Sequence, residues 1–73
     1  MIIDTKVRII PEERAIIPSK YLNTNKMITI SINGLMAFDE NDTETILYNK
    51  ITMKEECEID YTNDQIVIMY EGI

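Results

Sequence analysis

The sequence predicts a mostly β fold: a small antiparallel sheet, sandwich or partial barrel of about five or six short strands built from hairpins. Three observations predict it. Apolar and polar residues alternate from Met27 to Ile32, an Asn33-Gly34 dipeptide follows at once, and the chain closes on the Ile- and Tyr-rich run from Gln65 to Tyr70.

From residue 2 to residue 10, Ile3, Thr5, Val7 and Ile9 alternate with Asp4, Lys6 and Arg8, which predicts one strand wet on the polar side. Pro11 ends it, and Pro11 to Arg14 suit a single helical turn with proline at its first position. Pro18, Ser19, Asn23, Thr24 and Asn25 mark an irregular connection. In the strand 27–32, Ile28, Ile30 and Ile32 share one side. Asn33 and Gly34 tolerate the positive φ angles of a type I′ turn, so the strand 35–38 should return from them. In that hairpin Ile32 faces Leu35 and Ile30 faces Ala37, which puts Met36 and Phe38 on the side of Ser31 and Thr29.

Residues 39–45 read as a polar acidic loop and residues 46–53 as another strand, through their Ile, Tyr and Thr content. The alternative is a helix over 44–57, capped by Asp42 or Thr43, but its apolar positions fit a 3.6-residue period poorly. Residues 58–61 and 65–70 form the last predicted pair, joined by the turn-favouring Thr62-Asn63-Asp64. Val67 and Met69 make the closing strand apolar on both faces.

With 73 residues and neither a Gly/Ser linker nor a repeat, the chain reads as one domain whose core is small. Cys57 is its only cysteine and it has no histidine, so no internal disulfide forms and zinc ligands are lacking. The remaining route to stability is association, and a homo-oligomer or a place in a larger assembly is expected. The start Met1-Ile2-Ile3-Asp4 lacks the pattern of a secretory signal, and no apolar run spans a bilayer. A soluble protein made in a reducing cytoplasm, without a membrane role, is expected.

Thirteen acidic against seven basic residues give a net charge of −6, which disfavours direct nucleic-acid binding. An acidic surface also suits a nucleic-acid mimic that inhibits a host DNA-binding enzyme, and Asp39, Glu40, Asp42, Glu44, Glu55, Glu56 and Glu58 are the groups such an inhibitor would use. The simpler role of the charge is solubility.

The residues point to no catalytic chemistry, cofactor or metal. A Ser, Cys or Thr nucleophile has no histidine to activate it. Cys57 sits among Glu55, Glu56 and Glu58, which disfavour its thiolate. Asp39, Asn41 and Thr43 match the first odd positions of a calcium loop, but Glu44 replaces its glycine and Lys50 its bidentate glutamate. The expected functional residues are instead apolar, on faces that alternation leaves uncovered: Met36, Phe38, Val67, Met69 and Tyr70 as a protein-partner surface, with Asn33 and Gly34 as the turn.

Ile30-Ser31-Ile32-Asn33-Gly34, then Asp60-Tyr61-Thr62 and the strand Gln65 to Tyr70, resemble a short β-module common in tailed-bacteriophage virion proteins. The resemblance covers about residues 27 to 71, and this chain has a longer acidic insert between the two halves. It implies a structural or decoration protein of a virion head, neck, tail or fibre, packing against itself or neighbouring subunits, and it carries over no catalytic residue.

Overall fold

A computed structural model of the chain describes Met1–Ile73. The fold is mostly β. Its eight strands are β1 (Ile2–Asp4), β2 (Arg8–Ile10), β3 (Ala15–Ile17), β4 (Thr29–Ile32), β5 (Leu35–Asp39), β6 (Thr43–Leu47), β7 (Lys50–Met53) and β8 (Ile66–Tyr70). Two antiparallel sheets result, the first in the order β1-β8-β4-β5 and the second in the order β2-β3-β7-β6. Helical structure is confined to two 3-10 turns, Pro11–Glu13 and Glu40–Asp42, and no helix is long and apolar enough to cross a membrane.

Both sheets contribute to one core. Ile16, Ile51 and Met53 of the second sheet cluster with Ile30, Ile66, Ile68 and Tyr70 of the first, and Leu22 and Ile28 join them from the connection. Only 13 residues are buried. The core is therefore small, yet the radius of gyration of 10.8 Å matches the roughly 11 Å expected for a folded chain of this length.

The strand expected over 2–10 is broken in two, and its halves lie in different sheets. Asp4 breaks it. Its carboxylate accepts the Lys6 N–H (3.0 Å), the Ser19 N–H (2.7 Å), the Ser19 hydroxyl (2.8 Å) and the Tyr70 hydroxyl (2.6 Å). The Tyr70 oxygen in turn accepts the Lys20 N–H at 3.3 Å. Four donors allow a carboxylate to be 3% exposed, whereas Ile3, expected to face inward, is 66% exposed. The alternation rule assigns the acid to water because it assumes an acid without partners. Burial pushes the Asp4 carboxyl up, but the bonds from Tyr70, Ser19 and Lys6 outweigh it and hold its pKa below the usual carboxylate range.

The region expected as one strand over 46–53, or as a helix over 44–57, is the hairpin β6–β7. Tyr48 and Asn49 form its turn with φ of 51° and 59°. The strand also reaches back to Thr43, into the expected acidic loop. β3 lies just before the expected connection, in residues outside every expected strand, and its Ile16 pairs with Ile9 on one side and Ile51 on the other.

Residues 58–61 are not a strand. Asp60 and Asp64 close a local loop, with the Asp60 N–H donating to the Asp64 carboxylate (2.9 Å) and the Asp64 N–H to the Asp60 carbonyl (2.9 Å). The Asp60 carboxylate also accepts the Thr62 and Asn63 N–H groups. Backbone groups satisfied locally leave none for a ladder, and β8 pairs instead with β1 and β4.

The Asn33-Gly34 turn forms as predicted, with φ of 52° and 87° and Ile32 opposite Leu35. Beyond it the register shifts. Ser31 faces Met36 and Ile30 faces Phe38, so Ala37 is a one-residue bulge. The bulge turns Phe38 from the expected outer side onto the core. A second bulge at Glu44 lies between the pairs Thr43–Met53 and Thr45–Thr52.

Candidate protein-interaction surface

Alternation along β8 buries Ile66, Ile68 and Tyr70 and turns Val67 and Met69 to the opposite side. Cross-strand pairing continues both outer rows. One runs Ile3, Met69, Thr29 and Asp39 across the first sheet, and the other runs Val67, Ser31 and Met36. Met36 and Met27 are each 77% exposed, and Met1 is 80% exposed. Met1, Met27, Met36 and Met69, four of the five methionines, line one shallow groove of about 410 Å³ together with Lys26, Thr29, Tyr70 and Glu71. Unbranched, polarisable methionines adapt to irregular partner surfaces, and a contiguous exposed group of them suits recognition.

Of the residues predicted for a partner surface, Met36, Val67 and Met69 stand together on this face. Phe38 does not, and Tyr70 reaches the methionine groove only as a buried wall of it. Phe38 packs on the core, and Tyr70 is 1% exposed with its hydroxyl held by Asp4. Sequence reasoning missed Met1, Ile3 and Met27. Ile3 was hidden by the partnered acid beside it, and the two methionines flank strands where periodicity has no hold.

The acidic residues nominated for nucleic-acid mimicry are largely engaged within the chain. The Asp39 carboxylate accepts the Asn41 N–H (2.8 Å), and Asp42 reaches back to the Asp39 N–H (3.1 Å), a capping box on the 3-10 turn. Glu40 accepts the Ile28 N–H at 2.9 Å, and Glu44 pairs with Arg14 at 3.0 Å. No three His, Cys, Asp or Glu side chains are placed to hold a metal ion. Glu55, Glu56 and Glu58 alone of that set are exposed and unengaged by any ion pair or hydrogen bond.

The Cys57 thiol is partly buried and donates to the Asp42 carbonyl at 3.5 Å. Burial, with the nearby Asp42 and Glu56 charges, pushes its pKa up, which disfavours the reactive thiolate. The Tyr61 hydroxyl is buried with no hydrogen-bond partner, and burial likewise raises its pKa. It stays a neutral phenol. Comparison with protein-family models, curated proteins and solved structures finds no match to this chain.

Proposed function

We propose that the chain is a non-enzymatic structural or decoration protein of a bacteriophage particle, acting by packing the methionine-lined face of its first sheet against a neighbouring protein subunit. One observation carries the packing role: Met1, Met27, Met36 and Met69 line one groove, the first three at least 77% exposed, and Ile3, paired with Met69, is 66% exposed. A domain with so small a core leaves this apolar area for a partner. The phage setting rests on the resemblance. Its two halves touch, since the Asn33 carboxamide donates to Asp64 (2.9 Å) and accepts the Gln65 N–H (2.8 Å), beside the Asp60-Tyr61-Thr62 loop.

Replacing Met36 and Met69 together by Ser tests the reading. Both lie off the core, so circular dichroism should be unchanged while light scattering shows a smaller assembly, or phage particles lose the protein. Unaltered assembly and occupancy in the folded variant would reject this face.

A further inference from the structure

The outer side of the second sheet carries a different surface. Arg8 stands opposite Ile17, and Leu47 stands opposite Lys50 at the end of the β6–β7 ribbon. With Tyr48 these residues line a groove of about 490 Å³ that contains no acidic residue, in a chain of net charge −6. Lys50 is engaged by Glu13 at 2.6 Å, but Arg8 makes no ion pair.

Tyr48 does not owe its place to the fold. A type I′ turn needs positive φ at its first position, which Asn or Gly adopts with less strain than a bulky aromatic residue. Tyr48 nevertheless sits there at φ 51° and is 100% exposed. Asn49 holds the turn from the other position, but nothing in the chain covers the Tyr48 ring, so the ring's use lies outside it. Exposed Tyr and Arg side by side are the residue types that dominate binding energy at protein interfaces.

The other end of the same ribbon has the opposite character. Beside the Thr43–Met53 pair, the Lys54 N–H and the Cys57 thiol both bond the Asp42 carbonyl, at 3.0 and 3.5 Å, and tether the loop that bears Glu55, Glu56 and Glu58. Those three carboxylates are exposed and unpaired. A like-charged copy is repelled by most of this molecule, but not where its acidic loop meets the free Arg8.

We infer that a second copy of the chain docks its Glu55–Glu58 loop on the Arg8, Leu47 and Tyr48 surface, so that copies join head to tail. The two patches lie at opposite ends of one ribbon. Each contact therefore leaves a free tip and a free base for further copies, giving rings or filaments rather than closed pairs. This contact is independent of the methionine face.

Sedimentation velocity over a concentration series tests it. The native chain should associate at low salt and dissociate in about 0.5 M salt, where exposed charges are screened. Arg8→Glu, Tyr48→Asn and the double change Glu55→Arg with Glu56→Arg should each weaken association about tenfold or more. Tyr48→Asn should do so while raising or preserving the melting temperature, which separates the loss from misfolding. An equimolar mixture of Arg8→Glu with the double arginine variant should associate again, because an acidic face then meets a basic loop. A native chain monomeric throughout, variants that associate like it, or a mixture that stays monomeric would each overturn the inference. Association lost only on changing Met36 and Met69 would overturn it and leave the methionine-face reading standing. Oligothymidine binding that Arg8→Glu abolishes, without self-association, would assign the patch to nucleic acid.

Discussion

In the hairpin β4–β5 the turn is Asn33-Gly34, and in β6–β7 it is Tyr48-Asn49, yet the two are built alike. All four turn residues have positive φ. Each hairpin sends one strand to the edge of its sheet, β5 in the first and β6 in the second, and each edge strand carries a one-residue bulge, at Ala37 and at Glu44. A bulge blunts an edge against unwanted pairing. In each turn the Asn side chain also grips a distant segment. Asn33 pairs with Gln65 and Asp64, and Asn49 accepts the Leu22 N–H (2.8 Å) while donating to the Lys20 carbonyl (2.9 Å). The difference lies in what surrounds each turn. At the first turn position the first hairpin has Asn33, which tolerates positive φ, and it docks on an acidic loop, whereas the second holds a strained, exposed tyrosine there beside an unpaired arginine. Similar backbones thus serve as a strut in one sheet and as a presented tip in the other.

The largest expected effect tests whether the two hairpins share one core. Ile30 and Ile51 are both fully buried, one in each hairpin. Truncation to Ala should cost about 2–5 kcal/mol at either site, read as a lowered urea midpoint. Comparable losses mean that the sheets unfold together, and a loss below about 1 kcal/mol at Ile51 would make the second sheet an appendage.

A smaller effect should appear at the joint between the sheets. The Asp4 carboxylate, with its folded pKa lowered, contributes stability that is complete above the unfolded value of about 3.9 and is lost as the pH falls through the lower folded value. Asp4→Asn should cost about 2 kcal/mol at neutral pH, as hydrogen bonds to a charged acceptor are weakened. It should also flatten the acid limb of a stability-against-pH curve measured by thermal melts. An acid limb as steep as that of the native chain would place the titration elsewhere.

The smallest effect separates the two turns. Asn33→Ala and Asn49→Ala share the cost of a positive φ without Asn, so the difference between them reports the grip alone. Leu22 is buried and Gln65 is exposed, so water replaces the lost bond more readily at Gln65. Asn49→Ala should therefore be the more destabilising by about 1 kcal/mol, measured by chemical denaturation. The reverse order would show that the acidic loop, not Leu22, is the more tightly held segment.

Short-range pattern suffices for the β class, the strand β4, the Asn33-Gly34 turn with its first register pair, and the turn at Pro11. Each rests on neighbours in the chain, either period-2 alternation or the φ preferences of Asn, Gly and Pro. On the outer face of the first sheet, Val67 and Met69 were legible because they alternate with the buried Ile66, Ile68 and Tyr70, and Met36 because the Asn33-Gly34 turn sets it opposite Ser31. Where strands break and which way their faces point depends instead on long-range contacts. Asp4 is buried by donors from Ser19 and Tyr70, the latter 66 residues away, and with it Ile3 turns outward. Ala37 bulges, and Phe38 turns inward. Tyr48-Asn49 turns without glycine, aided by the grip of Asn49 on Lys20 and Leu22. Each is settled by a hydrogen-bond partner or packing neighbour far along the chain, and local periodicity holds no record of such a partner.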